Sequence, residues 1–271
     1  MNDPKVFEIL ERHGLSTTKS LGQNFLKSGA VLEKIATAAL PAERIIEIGA
    51  GIGSLTALLC QGAKEVITIE IDRKLEPLLK EQVPFPNHQF LWQDVLKTDL
   101  AALGRGTIVG NLPYYITTEI LSLLLENISC WDCAVLMVQK EVAERLLCAP
   151  GSKDYRAASV WVQGLCEGEL LFEVPPHCFH PAPHVHSAVI RLRPKADRPD
   201  PKGFIAFVQA AFAARRKMFA SSAAVQQLLK CDKSTLSALL EQAGLPQNSR
   251  AEAFSPREFL RLYKLAQIKN G

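Results

Sequence analysis

The chain contains no apolar run near the ~20 residues needed to cross a bilayer. Its opening segment, MNDPKVFEILERHG, lacks the basic start and apolar stretch of a signal peptide. The acidic residues there also argue against an organelle transit peptide. A cytoplasmic protein with no membrane partner is the expectation. A disulfide framework is missing as well: the seven cysteines are odd in number and scattered, and read as reduced thiols. Cys130 and Cys133 form a C-x-x-C, but no second pair accompanies it. His177, Cys178, His180, His184 and His186 crowd a single loop rather than two facing elements. A structural metal site draws four ligands from paired elements, so no metal is expected. Internal repeats and low-complexity tracts are absent too.

What is present is ordinary in amount and uneven in distribution. The 271 residues are 48% hydrophobic and 22% charged, enough for one large core and a small appended module. Residues 196 to 271 carry 12 Lys and Arg against 6 Asp and Glu, a net +6, whereas residues 1 to 195 carry 19 against 22, a net −3. The basic end suggests a polyanionic partner.

From Arg44 to Gln139, β-branched runs alternate with helical patterns. RIIEI (44 to 48), VITIEI (66 to 71), QFLW (89 to 92), TIVG (107 to 110) and CAVLMVQ (133 to 139) read as strands, with SLTALLCQ and TTEILSLLLENI as helices between them. Continuous apolar runs imply strands covered on both faces, hence a mostly parallel, doubly wound α/β sheet. GELLFEV (168 to 174) and HSAVIRL (186 to 192) are joined by a proline-rich loop too short for a helical crossover, so they are expected to form an antiparallel last pair. The charged, proline-rich PKADRPDPKG then marks a boundary between a domain over residues 1–193 and a helical module over 194–271. In that module Phe204, Phe207, Val208, Ala211 and Phe212 recur at helical spacing, and Ser255-Pro256 opens a final helix.

EIGAGIGSLT, residues 47 to 56, lies between the first strand and a helix, where backbone must approach a ligand closely. Gly49, Gly51 and Gly53 have a G-x-G-x-G spacing, and Ser54 stands where the dinucleotide fingerprint requires its last glycine. Glu70, at the end of the next strand, is placed to accept hydrogen bonds from both ribose hydroxyls. Asp94, after the third strand, can accept from an adenine amine. Together these describe a crevice for an adenosine without pyrophosphate, as in S-adenosylmethionine.

The fourth strand ends in GNLPYYIT, residues 110 to 117, facing the same crevice. The Leu112-Pro113 pair holds the chain extended, so that the Asn111 side-chain oxygen and a backbone carbonyl of the turn can point into the cavity together. Two adjacent acceptors suit an NH2 group. The amine of adenine is a poor nucleophile because its lone pair is delocalised; accepting both N–H bonds pulls the nitrogen toward tetrahedral geometry and aims the lone pair at a sulfonium methyl. Tyr114 can supply a flat face for the flipped base, with a second aromatic closing the other side.

TKSLGQNFL (18 to 26), EIGAGIGSLT, VITIEIDRKL, the Asp94 strand end, GNLPYYIT, MVQKEVAERL (137 to 146), VPPHCFHPAPHVHSAVIRL and AFAARRKMF (211 to 219) resemble, in order, the motifs of the KsgA-type ribosomal RNA adenine dimethyltransferases. The resemblance implies a class I methyltransferase with a Rossmann-like sheet and a small all-α C-terminal domain. It further implies a monomer that dimethylates two adjacent adenosines near the 3′ end of small-subunit ribosomal RNA, on the immature subunit. Carried over by position, cofactor contacts fall on Asn24, Leu26, Gly49, Gly51, Glu70, Asp94 and Asn111. The turn of Asn111 and Leu112 holds the amine, Tyr114 and Phe179 stack the base, and Arg215, Arg216 and Lys217 bind RNA phosphates. The chain departs from the family at His184 and His186, where Lys and Asp are usual, and at Met218 and Phe219. Two other readings remain: a large-subunit RNA methyltransferase of the antibiotic-resistance type, which more often has Ile at the position of Leu112, and an assembly factor without catalysis.

Overall fold

The structure, a computed structural model, describes residues 5–15, 23–214 and 217–270. Nine strands are present among these: β1 (Phe25–Leu26), β2 (Ala42–Ile48), β3 (Ala63–Glu70), β4 (His88–Trp92), β5 (Gly106–Asn111), β6 (Trp131–Gln139), β7 (Cys166–Val174), β8 (Phe179–His180) and β9 (Ser187–Pro194). The helices are α1 (Lys5–Arg12), α2 (Gly29–Ala39), α3 (Ser54–Gly62), α4 (Glu76–Gln82), α5 (Thr117–Glu126), α6 (Lys140–Leu147), α7 (Ala157–Leu165), α8 (Pro201–Phe212), α9 (Ala223–Leu229), α10 (Lys233–Gln242) and α11 (Pro256–Asn270).

Seven strands make one sheet in the order β4-β3-β2-β5-β6-β9-β7. β4, β3, β2, β5 and β6 are parallel to their neighbours, and β9 runs antiparallel to β6. As the apolar runs predict, both faces are covered. Ile45, Val66, Val109 and Val135 join Leu32, Ile35 and Leu59 of α2 and α3 in one buried cluster. On the alternate positions Ile46, Ile67, Ile108 and Leu136 are buried as well. The order places β2 beside β5, with Ile48 in register with Gly110. The chain leaves β2 toward β3 and β4 on one side and returns to its other side through β5, so a crevice opens at the carboxyl ends of β2 and β5.

A second, two-stranded sheet pairs β1 with β8, Phe25 against His180 and Leu26 against Phe179. Nothing in two-residue segments this far apart in the chain announces it. The adjacent Lys27 N–H donates to the Cys178 carbonyl at 2.8 Å, extending the tie.

The residues form two compact units, one of 1–143 with 169–194, the other of 144–168 with 195–271. The second unit resumes at Lys195, beside the linker read from the sequence. Segment 144–168, assigned above to the first domain, packs instead with the helical one. Its α7 approaches α8 so closely that a Cβ on Gly164 would stand 2.7 Å from the Phe204 ring. The buried Tyr155 hydroxyl donates to the Phe254 carbonyl at 3.0 Å. Phe204, Phe207, Phe219, Phe254 and Phe259 form the core of this unit. At the start of α11 the Ser255 N–H and hydroxyl both donate to Glu258, at 2.6 and 2.7 Å, a capping box.

Candidate active site

At the carboxyl ends of β2 to β5 lies a cavity of about 250 Å³. Its wall includes Gly49 and Gly51 after β2, Glu70 ending β3, Asp94 after β4, and Asn111 to Ile116 after β5, with Gln23 and Asn24 of the N-terminal arm. Four separate strand ends and the arm thus converge on one space. No histidine lines it.

The glycine loop turns with left-handed φ values of +81° at Gly49 and +55° at Gly51, which side chains rarely adopt. Gly51 lies against the arm as well, since a Cβ there would stand 3.1 Å from the Phe25 ring. The turn aims the Gly51 N–H at Glu70 Oε2, 3.2 Å away, while the Asp72 N–H donates to Oε1 at 2.9 Å. Glu70 is therefore fixed at both oxygens. Burial raises its pKa, and the backbone donors Asp72, Gly51 and Ile71 oppose that rise. Asp94 uses Oδ1 to cap the turn after β4, accepting from the Leu96 N–H at 2.9 Å, and keeps a second oxygen for a ligand.

Asn111 is oriented by the arm: its Nδ2 donates to the Asn24 carbonyl at 3.2 Å. That bond identifies which end of the amide is nitrogen and turns Oδ1 into the acceptor available to a ligand. The Leu112 N–H is held by the Met137 carbonyl at 3.0 Å. Beyond it, the Pro113 carbonyl accepts from the Ile116 N–H and the Thr117 hydroxyl, and the Tyr114 carbonyl lies 3.4 Å from the same hydroxyl. Tyr114 is half-buried, and its hydroxyl pairs with Ser187 Oγ at 2.7 Å; burial raises its pKa, opposed by that bond.

Two residues assigned here by sequence lie elsewhere. Leu26 and Phe179 do not line the cavity. They face each other across the β1–β8 pair, inside the core, and Phe179 is only 1% exposed. In this arrangement the ring is covered by the core. Arg215 and Arg216 fall outside the described residues, and Lys217 is exposed. Among the described residues no three His, Cys, Asp or Glu converge on a metal-sized site.

The cavity also has walls the sequence reading passed over. Gln23 lines it and donates to Asp72 Oδ2 at 2.8 Å, tethering the arm across the end of β3. Ile71 and Leu96 are exposed apolar side chains on its rim, next to Glu70 and Asp94. Two aliphatic side chains beside two carboxylates suit a purine and its ribose. Their signal was position alone: one follows Glu70 directly, the other lies two residues beyond Asp94.

Behind the glycine loop, Glu47 is 1% exposed. Its Oε2 accepts from Thr56 of α3 at 2.7 Å and Thr68 of β3 at 2.9 Å, whereas Oε1 has no hydrogen-bond partner among the described residues. Burial pushes its pKa up to about 7. A proton on the unpartnered oxygen removes most of the penalty of a buried anion. The Thr68 hydroxyl also meets His88 Nε2 at 2.9 Å, and burial pushes that imidazole down to about 4. With the Thr68 proton directed at Glu47, a neutral His88 must carry its own proton on Nε2. Thr56, Glu47, Thr68 and His88 thus form one ordered chain across α3, β2, β3 and β4.

Residues 14–267 match the family described as ribosomal RNA adenine dimethylase. This chain belongs to that family. Ribosomal RNA adenine dimethylase relatives include Ribosomal RNA small subunit methyltransferase A of Desulfitobacterium hafniense, 42% identical over 254 residues, 91% of each chain. The protein of the same name from Ligilactobacillus salivarius is 40% identical over 288 residues, covering 100% of this chain and 96% of that one. Among solved structures, a dimethyladenosine transferase from Plasmodium falciparum superposes with a TM-score of 0.80 at 27% identity, covering 90% of this chain and 98% of that one. The 23S rRNA methyltransferase ErmE gives 0.67 at the same identity, covering 90% and 100%. The cofactor of the family is S-adenosylmethionine, and the donor set here fits it: paired carboxylates, an apolar rim and a glycine loop open to a ligand.

Proposed function

We propose that this protein dimethylates the exocyclic amines of two adjacent adenosines near the 3′ end of small-subunit ribosomal RNA, acting as a monomer on the immature subunit in the cytoplasm. Relatives at 40 to 42% identity carry the small-subunit name over nearly their whole length. The observation that carries the chemistry is the Asn24-held amide of Asn111.

When bound, S-adenosylmethionine supplies a methyl group on a positively charged sulfur. The protein's part is placement. Glu70, already steadied by backbone N–H groups at both oxygens, offers its remaining lone pairs to the ribose hydroxyls. Asp94 accepts from the cofactor's purine amine. Asn111 Oδ1 accepts one N–H of the target adenine. The second acceptor is the Leu112 carbonyl, because the Pro113 and Tyr114 carbonyls are engaged by Thr117. Both acceptors together draw the nitrogen's lone pair out of the ring. Tyr114, steadied by Ser187, supports the base while this happens. Arg215, Arg216 and Lys217 bind the RNA backbone.

Methylation of the large subunit, as the name of ErmE states for that protein, is the alternative, and the structural match to it is weaker than to the dimethyladenosine transferase. The two separate on offering purified immature small subunits and naked large-subunit RNA with labelled cofactor. Label in the small subunit is the expected result; label only in large-subunit RNA overturns the assignment.

A further inference from the structure

We propose that Tyr115 is a stacking platform for the nucleobase next to the adenine being methylated. The proposal rests on the RNA adenine reading above and adds a substrate contact to it.

Tyr115 is 56% exposed, the one aromatic ring among the exposed large hydrophobic residues described. It lines the cavity one residue after Tyr114, and its side chain makes no hydrogen bond among the described residues. The ring does not ride on a loose loop. Residues 114 to 116 form a 3-10 turn that begins at Pro113 and continues into α5, and the Thr117 hydroxyl locks that junction to the Pro113 carbonyl at 3.0 Å. An exposed tyrosine on a hydrogen-bonded turn at a cavity mouth has only two side-chain torsions to fix on meeting a flat partner.

The neighbouring surfaces narrow what that partner is. Ile71 and Leu96, the other exposed apolar residues of the rim, adjoin Glu70 and Asp94 and so belong to the cofactor side. Tyr115 adjoins the Asn111 turn, the side on which the target amine is held. Phe179 is buried in the core, whereas the Tyr115 ring is open to solvent. When an adenine swings into the cavity to reach Asn111, the base beside it loses a stacking partner in the RNA. A free tyrosine face at the entrance replaces that partner, in the way single-stranded RNA is held by aromatic platforms. Where two adjacent adenosines are both substrates, the platform holds the second while the first reacts.

The test compares wild type, Tyr115→Phe and Tyr115→Ala on reconstituted immature small subunits. The subunits carry either intact RNA or RNA with an abasic nucleotide on one or the other side of the target. On intact RNA, Tyr115→Ala raises KM for the subunit about tenfold while Tyr115→Phe stays within about twofold of wild type. Cofactor affinity by titration calorimetry is unchanged in both variants. On one of the two abasic substrates, wild type falls to the level of Tyr115→Ala and the difference between them vanishes. An unchanged KM in Tyr115→Ala, a defect that persists equally on both abasic substrates, or a weakened cofactor affinity overturns the proposal. Wild-type protein that methylates neither small-subunit nor large-subunit RNA instead removes the reading on which it rests.

Discussion

The side-chain amide of Asn111 donates to the backbone carbonyl of Asn24, 87 residues earlier in the chain, at 3.2 Å. The N-terminal arm therefore sets the direction of the Asn111 amide, the group we propose meets the substrate amine. Held this way, the amide turns its oxygen, an acceptor, to the side away from Asn24. Gln23, bonded to Asp72 at 2.8 Å, keeps the arm in place. Gln23→Ala loosens Asn24, and the rate of methyl transfer in a single turnover is expected to fall by roughly 2- to 10-fold, the worth of one hydrogen bond. Thermal unfolding should barely move. An unchanged rate would show that the arm does not hold the amide.

Glu70 should make cofactor binding sensitive to acid. Its pKa is raised by burial, and only the carboxylate form offers acceptors on both oxygens. Affinity measured by calorimetry is expected to drop as pH is lowered through that raised value. Glu70→Gln flattens the dependence, and Glu70→Ala weakens binding by ~1 to 3 kcal/mol through the lost acceptors. Parallel pH profiles for wild type and Glu70→Gln would contradict the assignment.

Glu47 should leave its mark on stability rather than on binding. Folding raises its pKa from 4.5 to about 7, so the folded chain holds the proton more tightly than the unfolded one. The resulting stabilisation is fully present below the unfolded value and is lost as pH rises through about 7. Glu47→Gln is uncharged at every pH and escapes that loss. Relative to wild type its unfolding free energy is expected to gain up to ~3 kcal/mol between about pH 4 and pH 8. Denaturant unfolding at a series of pH values reads this directly, and a difference that does not vary with pH would refute it.

The parallel sheet was legible because its strands are continuous β-branched runs, buried on both faces, with little choice of where to go. The convergence of Gly49, Glu70, Asp94 and Asn111 on one cavity was legible too, since each lies at or just past the carboxyl end of a strand. What could not be read depends on contacts between distant segments. β1 and β8 hold two residues each, and only their pairing makes them strands. Phe179 looked like an open ring because its sequence neighbours are loop-like, whereas it is in register with Leu26 across the β1–β8 pair and belongs to the buried core. Segment 144–168 precedes β7 in the chain and so looks continuous with the sheet. Its packing is decided by contacts with Phe204 and Phe254, which come 36 and 86 residues after its end at Gly168.

The most direct measurement is nucleoside mass spectrometry of small-subunit RNA after incubating immature subunits with S-adenosylmethionine and either wild-type protein or Asn111→Ala. Wild type is expected to yield N6,N6-dimethyladenosine at two adjacent positions, and Asn111→Ala, assayed at saturating cofactor, to lose at least ~100-fold in rate. Dimethyladenosine formed by Asn111→Ala at the wild-type rate would contradict the account.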